Sequence, residues 1–414
     1  MSSSSSKLFN RSTGVVAACT VGNAVSVTPM VYTVFGLFLI PLTTEFNWSR
    51  ASVSLVLLIV AIASAICYPV IGRMIDRHGA RRIMLAGNLL FAASVASVSF
   101  IGASLFHLYL AYALIGVTSA IPSSVMFTKV IAGWFDRNRG LFLGIVGGLG
   151  NGTGAALSPL FVYFLLSHYG WRIGFQGIAI TIALIGFPVL YLLLWDPPRP
   201  TISDSGAREE DAEGMTLSEA RKTTTFWIII AAIGLGAGCM TAVFAHVVPM
   251  LVDRGLPTAQ ATTILATFAM VTAAWQIGVG YLLDRVSKAW IAAPFYIVAL
   301  AGLILLELSS EYPLLLVAGV LLGFGLGTEY GVLPYFISRY FGVKHYGAIS
   351  GTVYAVIVLT QGLTPFLMAL VFDMTGNYNI AMIVIGIGLL CGAALVLKLK
   401  PFEFVPEPNL KTGV

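Results

Sequence analysis

Long apolar runs, each ended by a short polar turn, occupy almost the whole of the chain of 414 residues. A helix that crosses the hydrocarbon core of a bilayer needs about 20 mainly apolar residues, and twelve runs reach roughly that length. They lie near residues 14–41, 51–75, 82–104, 107–134, 140–166, 173–195, 224–251, 258–283, 289–308, 312–338, 347–373 and 379–399. The pattern predicts an all-α integral membrane protein with twelve transmembrane helices, which we number spans 1 to 12 in chain order.

One long polar stretch, residues 196–222, separates spans 1–6 from spans 7–12. It is rich in proline at its start, and residues 217–221 at its end have the pattern of a short helix that lies at the membrane surface. The predicted organisation is a cytoplasmic tail at 1–13, a six-helix bundle at 14–195, a central cytoplasmic loop at 196–222, a second six-helix bundle at 223–400 and a cytoplasmic tail at 401–414.

Charged residues are scarce, and their positions indicate how the spans are oriented. Only 10% of the residues are charged and 58% are hydrophobic, with a mean hydropathy of +0.91, whereas about a quarter of the residues of a soluble protein are charged. With the turn after span 2 in the cytoplasm, Arg50, Arg172 and Arg254 are the only ones of 23 lysines and arginines that fall outside. The positive-inside rule then predicts that both termini are cytoplasmic, and it explains the net charge of +5 without a nucleic acid partner.

The turn between spans 2 and 3 packs glycine, aspartate and arginine into residues 72–82, and parts of it recur in the second half of the chain. Its distinctive residues are Gly72, Asp76, Arg77, Gly79 and Arg81. Three of these positions recur 208 residues later, Gly72 as Gly280, Asp76 as Asp284 and Arg77 as Arg285, and the aromatic pairs 134–135 and 340–341 lie 206 residues apart. A repeat of half the chain length predicts two six-helix halves of similar structure.

The turn after span 2 resembles the loop 2–3 signature of the major facilitator superfamily, roughly G-x-x-x-D-R-x-G-R-[RK]. The resemblance implies the twelve-helix fold of that family, with a substrate site between the halves near the middle of the bilayer. We expect the motif residues of the first turn, together with Asp284 and Arg285, to act as a cytoplasmic latch between the halves in the outward-open state.

Several further segments resemble the monocarboxylate and oxalate/formate transporter branch of this family. They are residues 35–42, 45–54, 134–140, 170–172 and 246–255, together with 339–342. The resemblance implies a small organic acid as substrate, protons as the coupled ion, and alternating access as the mechanism. One position departs from the branch, because Gln276 stands in span 8 where carboxylate transporters have an arginine. Since glutamine donates a hydrogen bond without neutralising charge, a larger, aromatic or partly neutral substrate is favoured.

Few ionisable residues lie deep in the spans, and each has a plain structural alternative. Glu329 in span 10 is predicted to be the proton-coupling group, because an acid inside the hydrocarbon usually faces a cavity or a partner; the alternative is a structural hydrogen bond. Lys129 either extends to the cytoplasmic surface or meets the substrate. His246 either holds span 7 or lies at the cavity or the outer gate, and Tyr330 and Tyr354 either cap the cavity or pack.

Other chemistry finds little support in the sequence. The glycine-rich run at 147–154 lies inside an apolar span and lacks the Lys-Ser/Thr of a phosphate-binding loop, so it indicates close helix packing. The four cysteines lie in apolar segments at unrelated spacings, so we expect no disulfide, metal or cofactor. Five scattered histidines and no paired acids within a span argue against an enzyme.

The sequence therefore predicts a secondary transporter of an organic carboxylate, a monomer in the plasma (inner) membrane that is coupled to protons. The alternative is a proton-coupled exporter of hydrophobic or neutral small molecules, which the absence of the arginine at Gln276 would suit.

Overall fold

The predicted spans are helices in the computed structural model, which describes residues 2–135, 142, 144–196, 214–286, 288–342 and 345–402. The first half contains the α-helices Ser2–Ala24, Phe35–Phe46, Arg50–His78, Ala80–Ser97, Leu105–Ser119, Ser124–Trp134, Gly152–Thr181 and Phe187–Leu193, with π-helical segments at Thr28–Tyr32, Ile145–Asn151 and Ile182–Gly186. The second half contains the α-helices Leu217–Ala220, Thr224–Asp253, Thr258–Val286, Ala293–Leu308, Tyr312–Phe341, Tyr346–Thr375 and Asn379–Leu397. No strand of a sheet is present in these described ranges.

Eleven helical stretches in this part of the chain are long and apolar enough to cross a membrane, and one of them contains two crossings. That stretch, Ile145–Leu193, has 49 residues. Gly170 within it has φ 79° and ψ 173°, a conformation that side-chain-bearing residues rarely adopt. The chain therefore turns at Gly170 between spans 5 and 6, and the predicted architecture of twelve spans is confirmed.

The bounds of spans 2 to 12 agree with the sequence-based ones to within about five residues. Span 1 differs, because the helix starts at Ser2 and includes most of the segment that we expected to be a polar tail. Residues 197–213 of the central loop and residues 403–414 of the C-terminal tail lie outside the described residues.

The short helix expected at the end of the central loop is present as Leu217–Ala220. The Thr216 side chain accepts a hydrogen bond from the Glu219 amide, and the Glu219 carboxylate accepts one from the Thr216 amide at 2.8 Å. This capping box holds the pKa of Glu219 below its usual range, because the amide stabilises the charged form. The Met215 amide donates to the Phe341 carbonyl at 2.8 Å, so the loop ends against span 10.

Glycines bring helices of the two halves into direct contact at mid-length. A Cβ added to Gly148 in span 5 would lie 2.8 Å from Ile277 in span 8. One added to Gly362 in span 11 would lie 3.0 Å from the Leu57 carbonyl oxygen in span 2. The glycine-rich run of span 5 therefore serves close packing, as the sequence predicted.

Glycines near the turn after span 2 have open space beside them. Among the described residues, no atom would lie within 4 Å of a Cβ added to Gly144, Gly280, Gly347 or Gly351. These positions lie in the portions of spans 5, 8 and 11 nearest to that turn.

The internal repeat is also visible in hydrogen bonds between helix ends. In the first half the Trp134 indole donates to the Trp195 carbonyl at 3.0 Å, joining the ends of spans 4 and 6. In the second half the Tyr340 hydroxyl donates to the Lys400 carbonyl, joining the ends of spans 10 and 12. Equivalent aromatic residues therefore make equivalent contacts in the two halves.

We expect Gly154→Ala to destabilise the protein, because the new Cβ would overlap the Ala24 carbonyl of span 1. Overpacking of this kind costs about 1–3 kcal/mol. Gly351→Ala is the matched control, since its Cβ would meet no neighbour and alanine favours a helix by about 1 kcal/mol over glycine. Thermal unfolding in detergent should show a lower midpoint for Gly154→Ala alone; equal midpoints for both variants would contradict the packing argument.

Candidate functional site

A cavity between the two halves is lined by spans 1, 2 and 5 from the first half and by spans 7, 8, 10 and 11 from the second. The space between its walls is about 850 Å³, including the part that is open to solvent. Its polar lining consists of tyrosine, amide and hydroxyl side chains: Thr28, Tyr32, Thr33, Ser64, Tyr68, Asn151, Thr241, Thr272, Gln276, Tyr330 and Gln361. None of the described residues that line it carries a charge.

Three amide side chains, Asn151, Gln276 and Gln361, are among the polar groups that line this cavity. The Gln361 Nε2 donates to the Tyr330 hydroxyl at 3.1 Å. The Asn151 Oδ1 is buried and has no hydrogen-bond partner among the described residues. The Gln276 Nε2 lies 3.5 Å from where a Cβ of Gly147 would be, so this amide faces span 5 of the other half. A bound molecule would meet donors and acceptors from both halves but no cation.

Two of the six residues that the sequence suggested for substrate or proton binding line the cavity, namely Gln276 and Tyr330. The other four lie outside its lining: Lys129, His246, Glu329 and Tyr354. Tyr354 is partly buried and packs against the hydrophobic core. The sequence analysis missed Asn151 and Gln361, although each is an amide inside an apolar span, which is the signal that could have identified them.

Glu329 is buried inside the second half, between spans 7, 9 and 10. It is 3% exposed, and its carboxyl group lies so close to Gly236 of span 7 that a side chain there would overlap it. The Tyr296 hydroxyl of span 9, which donates to the Ala232 carbonyl at 3.1 Å, is also the hydrogen-bond partner of this carboxyl group. Span 7 forms part of the cavity wall, and Glu329 contacts this helix on the side that faces away from the cavity.

Lys129 lies within the first half, where its Nζ donates to the Gly72 carbonyl at 2.8 Å. The lysine thus links span 4 to the start of the turn motif after span 2. Both alternatives for Lys129, extension to the cytoplasmic surface and contact with the substrate, stay predictions.

Arg50, at the start of span 2, binds three parts of the second half, and we call the group Arg50, Asp253, Asp373 and Tyr378 the Arg50 clamp. Its guanidinium donates to both oxygens of Asp253 at 2.6 and 2.8 Å and to the Tyr378 hydroxyl at 2.7 Å. The Asp373 carboxylate accepts from the amides of Arg50 and Ala51 at 3.1 and 2.7 Å. The clamp joins the two halves at the end opposite to Gly79.

His246 is fully buried next to the clamp. Its Nε2 lies 3.0 Å from the Pro365 carbonyl of span 11, and its Nδ1 lies 3.4 Å from the Tyr378 hydroxyl. Burial raises the pKa of Tyr378 to about 12, so this phenol keeps its proton. His246 thus bonds span 7 to span 11 beside the clamp, and both alternatives for its role stay predictions.

The described residues of the turn motif contact their own half. The amides of Ala80 and Arg81 donate to Asp196 at 2.6 and 3.0 Å, and Gly79, with φ 85°, leaves room for that carboxylate. The Arg81 guanidinium lies 4.2 Å from the centre of the Trp195 ring. Asp196 therefore caps the start of span 3.

The remaining latch residues make no contact across the halves in the described part of the chain. Arg77 is exposed, and the Arg285 guanidinium lies 4.6 Å from the centre of the Tyr281 ring on its own helix. The side chains of Asp76 and Asp284 lie outside the described residues. The expected latch therefore stays a prediction for the outward-open state.

Metal ligands are not grouped in the described ranges: no cluster of three or more His, Cys, Asp or Glu side chains occurs there. The four cysteines are unpaired.

A family profile described as Major Facilitator Superfamily matches residues 21–357. Monocarboxylate transporter 13 of Bos taurus is 26% identical over 91% of the chain and 87% of its own length. An uncharacterized MFS-type transporter of Bacillus subtilis, YcxA, is 24% identical over 89% of the chain and 90% of its own length. Monocarboxylate transporter 11 of Homo sapiens is 26% identical over 80% of the chain and 71% of its own length.

Among solved structures, a bacterial homolog of the human lysosomal transporter Spinster, in an inward-facing and occupied conformation, matches with a TM-score of 0.69. The match covers 93% of this chain and 95% of the other, at 16% sequence identity. The likeness shows that the two proteins share a fold.

Proposed function

Because the chain belongs to the Major Facilitator Superfamily, we propose that it is a secondary transporter that carries an organic acid across the plasma membrane by alternating access. It is a multi-pass membrane transporter and not an enzyme. The observation that carries the proposal is the cavity between the halves, which the Arg50 clamp joins at one end and which have glycines with open space beside them at the other. Rocking of one half against the other would move this opening from one side to the other.

The positive-inside rule supports an orientation for this state. Arg50, Arg172 and Arg254 all lie at the clamp end, whereas the turn after span 2, with its arginines, lies at the open end. On this orientation the structure is inward-facing, with the cavity open to the cytoplasm. The latch of Gly72, Asp76, Arg77, Gly79 and Arg81 with Asp284 and Arg285 would then form when the open end closes.

The uncharged cavity supports a larger or aromatic acid rather than a small, strongly hydrated anion. An ionised group without a partner at the centre of a membrane helix costs about 2.5–3.5 kcal/mol on insertion scales. Tyr32, Tyr68, Phe244 and Tyr330 offer aromatic faces to a substrate ring. Similarity to proteins named monocarboxylate transporters supports a carboxylate group on that substrate.

A proton on Glu329 would accompany the substrate anion. The Tyr296 hydroxyl has a single hydrogen, which it donates to the Ala232 carbonyl. Its hydrogen bond with Glu329 then uses a hydrogen that belongs to the carboxyl group, so the geometry fits a protonated Glu329. Since an anion in the cavity and an ionised Glu329 would repel each other across span 7, binding of either the anion or the proton favours binding of the other.

A second candidate is proton-coupled export of hydrophobic or neutral molecules. The same observation favours it, because a cavity without charge accepts a neutral solute at no electrostatic cost. The two candidates differ in whether a carboxylate is needed on the substrate.

Uptake into proteoliposomes tests the function itself. We expect aromatic monocarboxylates to accumulate faster when the outside is more acidic than the lumen, and the corresponding amides to show no such acceleration. Liposomes without protein control for diffusion of the undissociated acid. Transport of amides or other neutral solutes with no transport of any acid would establish the second candidate instead.

Glu329→Gln tests the coupling group. Coupling between two bound ligands is typically about 1–3 kcal/mol, or roughly 5- to 150-fold, so uptake driven by a pH gradient should fall by at least about fivefold. Exchange of substrate at equal pH should be retained, because glutamine keeps the shape and the donor to Tyr296. Equal loss of both activities, or unchanged gradient-driven uptake, would exclude the coupling role.

Gln276→Arg tests which groups meet the substrate. A hydrogen bond to a charged group contributes about 1.5–3 kcal/mol, so we expect apparent affinity for small carboxylates such as lactate or oxalate to rise by about tenfold or more. Gln276→Leu, which matches the size without donor or charge, should mainly weaken binding of the native substrate. If competition assays show the parent's profile for both variants, Gln276 does not touch the substrate.

A further inference from the structure

The hydrogen bonds of the Arg50 clamp continue inward to span 11 through a chain in which each group donates to the next. Arg50 donates to the Tyr378 oxygen, and the Tyr378 hydroxyl lies within bonding distance of the His246 Nδ1. The His246 Nε2 bonds to the Pro365 carbonyl, which accepts only. The ring therefore carries a hydrogen on Nε2, and in the neutral tautomer its Nδ1 accepts from the Tyr378 hydroxyl.

Among the described residues, no carboxylate is in hydrogen-bond contact with His246 to accept a second ring proton. The edge of the Phe35 ring from span 1 faces the imidazole, with centroids 6.3 Å apart. The charged groups that act on the ring are Arg50 from span 2 and Asp373 from span 11, and Tyr378 is the titratable group in contact. Asp373 is already occupied by the amides of Arg50 and Ala51.

We propose that His246 is the proton-sensitive positioning residue of the Arg50 clamp: its neutral form permits the clamp to close, and its doubly protonated form opens it. A hydrogen on Nδ1 would point at the Tyr378 oxygen, which already accepts from Arg50, and the phenol would lose the acceptor for its own hydrogen. The Arg50 guanidinium and the protonated His246 imidazole would then be two cations that contact the same Tyr378 hydroxyl. Opening separates them and admits water to the imidazole.

The chain of contacts also links the clamp to the cavity. Pro365, whose carbonyl binds His246, lies one turn of span 11 after Gln361, a cavity-lining residue. Because the Nε2 hydrogen bond to Pro365 is kept in both protonation states, a shift of the imidazole as the clamp opens would pull on the segment of span 11 that carries Gln361. The inference rests on the proposed alternating access. It adds that a proton from the outer medium, bound by His246, controls the clamp end.

The distance between spin labels across the clamp tests this proposal in full-length protein in lipid nanodiscs. Labels at Thr44→Cys and Asn379→Cys, both exposed at the clamp end, would be placed in a background with Cys67 and Cys391 replaced by serine. An ordinary imidazole titrates near pH 6.5, so if only the open state takes up the proton, the open-to-closed ratio rises by up to about tenfold between pH 8 and pH 5.5. We expect a growing long-distance population over this range.

His246→Gln should close the clamp at both pH values, because its amide can donate to Pro365 and accept from Tyr378 but cannot take up a proton. His168→Gln, an exposed histidine near the same end, should respond to pH like the parent. Tyr378→Phe should also flatten the response, which keeps the test informative if the His246 variant does not fold. A parent that does not respond to pH, or a full response in His246→Gln, would overturn the proposal. Because the readout is a distance, it does not depend on the substrate or on Glu329.

Discussion

Hydrocarbon disfavours an ionised side chain by about 2.5–3.5 kcal/mol at the centre of a helix, and the charged groups of this transporter are placed accordingly. Arg50 and Asp253 pair at one end of the cavity, Lys129 binds a backbone carbonyl within its own half, and the described cavity lining is uncharged. A cavity without charge can also be emptied on either side without leaving a buried charge unpaired. That property suits a site which must release its substrate in every cycle.

The two halves share a repeat but use it differently. Glu45 and Asp253 occupy equivalent positions, 208 residues apart, at the ends of spans 1 and 7. Glu45 accepts from Trp171 and Arg172 of its own half, at 2.5 and 2.7 Å, so it fixes the start of span 6. Asp253 binds Arg50 of the other half. The carboxylate at this position therefore stabilises the first half internally, whereas its counterpart in the second half holds the two halves together.

The sequence predicted the spans well, since a run of about 20 apolar residues has few other uses. Gln276 was singled out through the resemblance to carboxylate transporters and Tyr330 as a tyrosine that could cap a cavity, and both line the cavity. The sequence did not predict the Arg50 clamp, because Arg50 and Asp253 are 203 residues apart and both lie in polar turns where charge is unremarkable. The sequence also did not predict that Glu329 is buried against span 7. Helical periodicity places Glu329 on one face of span 10, but only the contact with Gly236 shows that this face meets span 7.

Gly170 has a mechanical consequence. Spans 5 and 6 meet at this single residue, and consecutive Cα atoms are only about 3.8 Å apart, so the two helix ends cannot separate as the protein moves. Trp171 and Arg172, directly after the turn, are also bound to Glu45, which ties span 1 to the same corner. Three of the six helices of the first half thus share one rigid vertex at the clamp end. Under the proposed rocking motion, this corner would move as a single body.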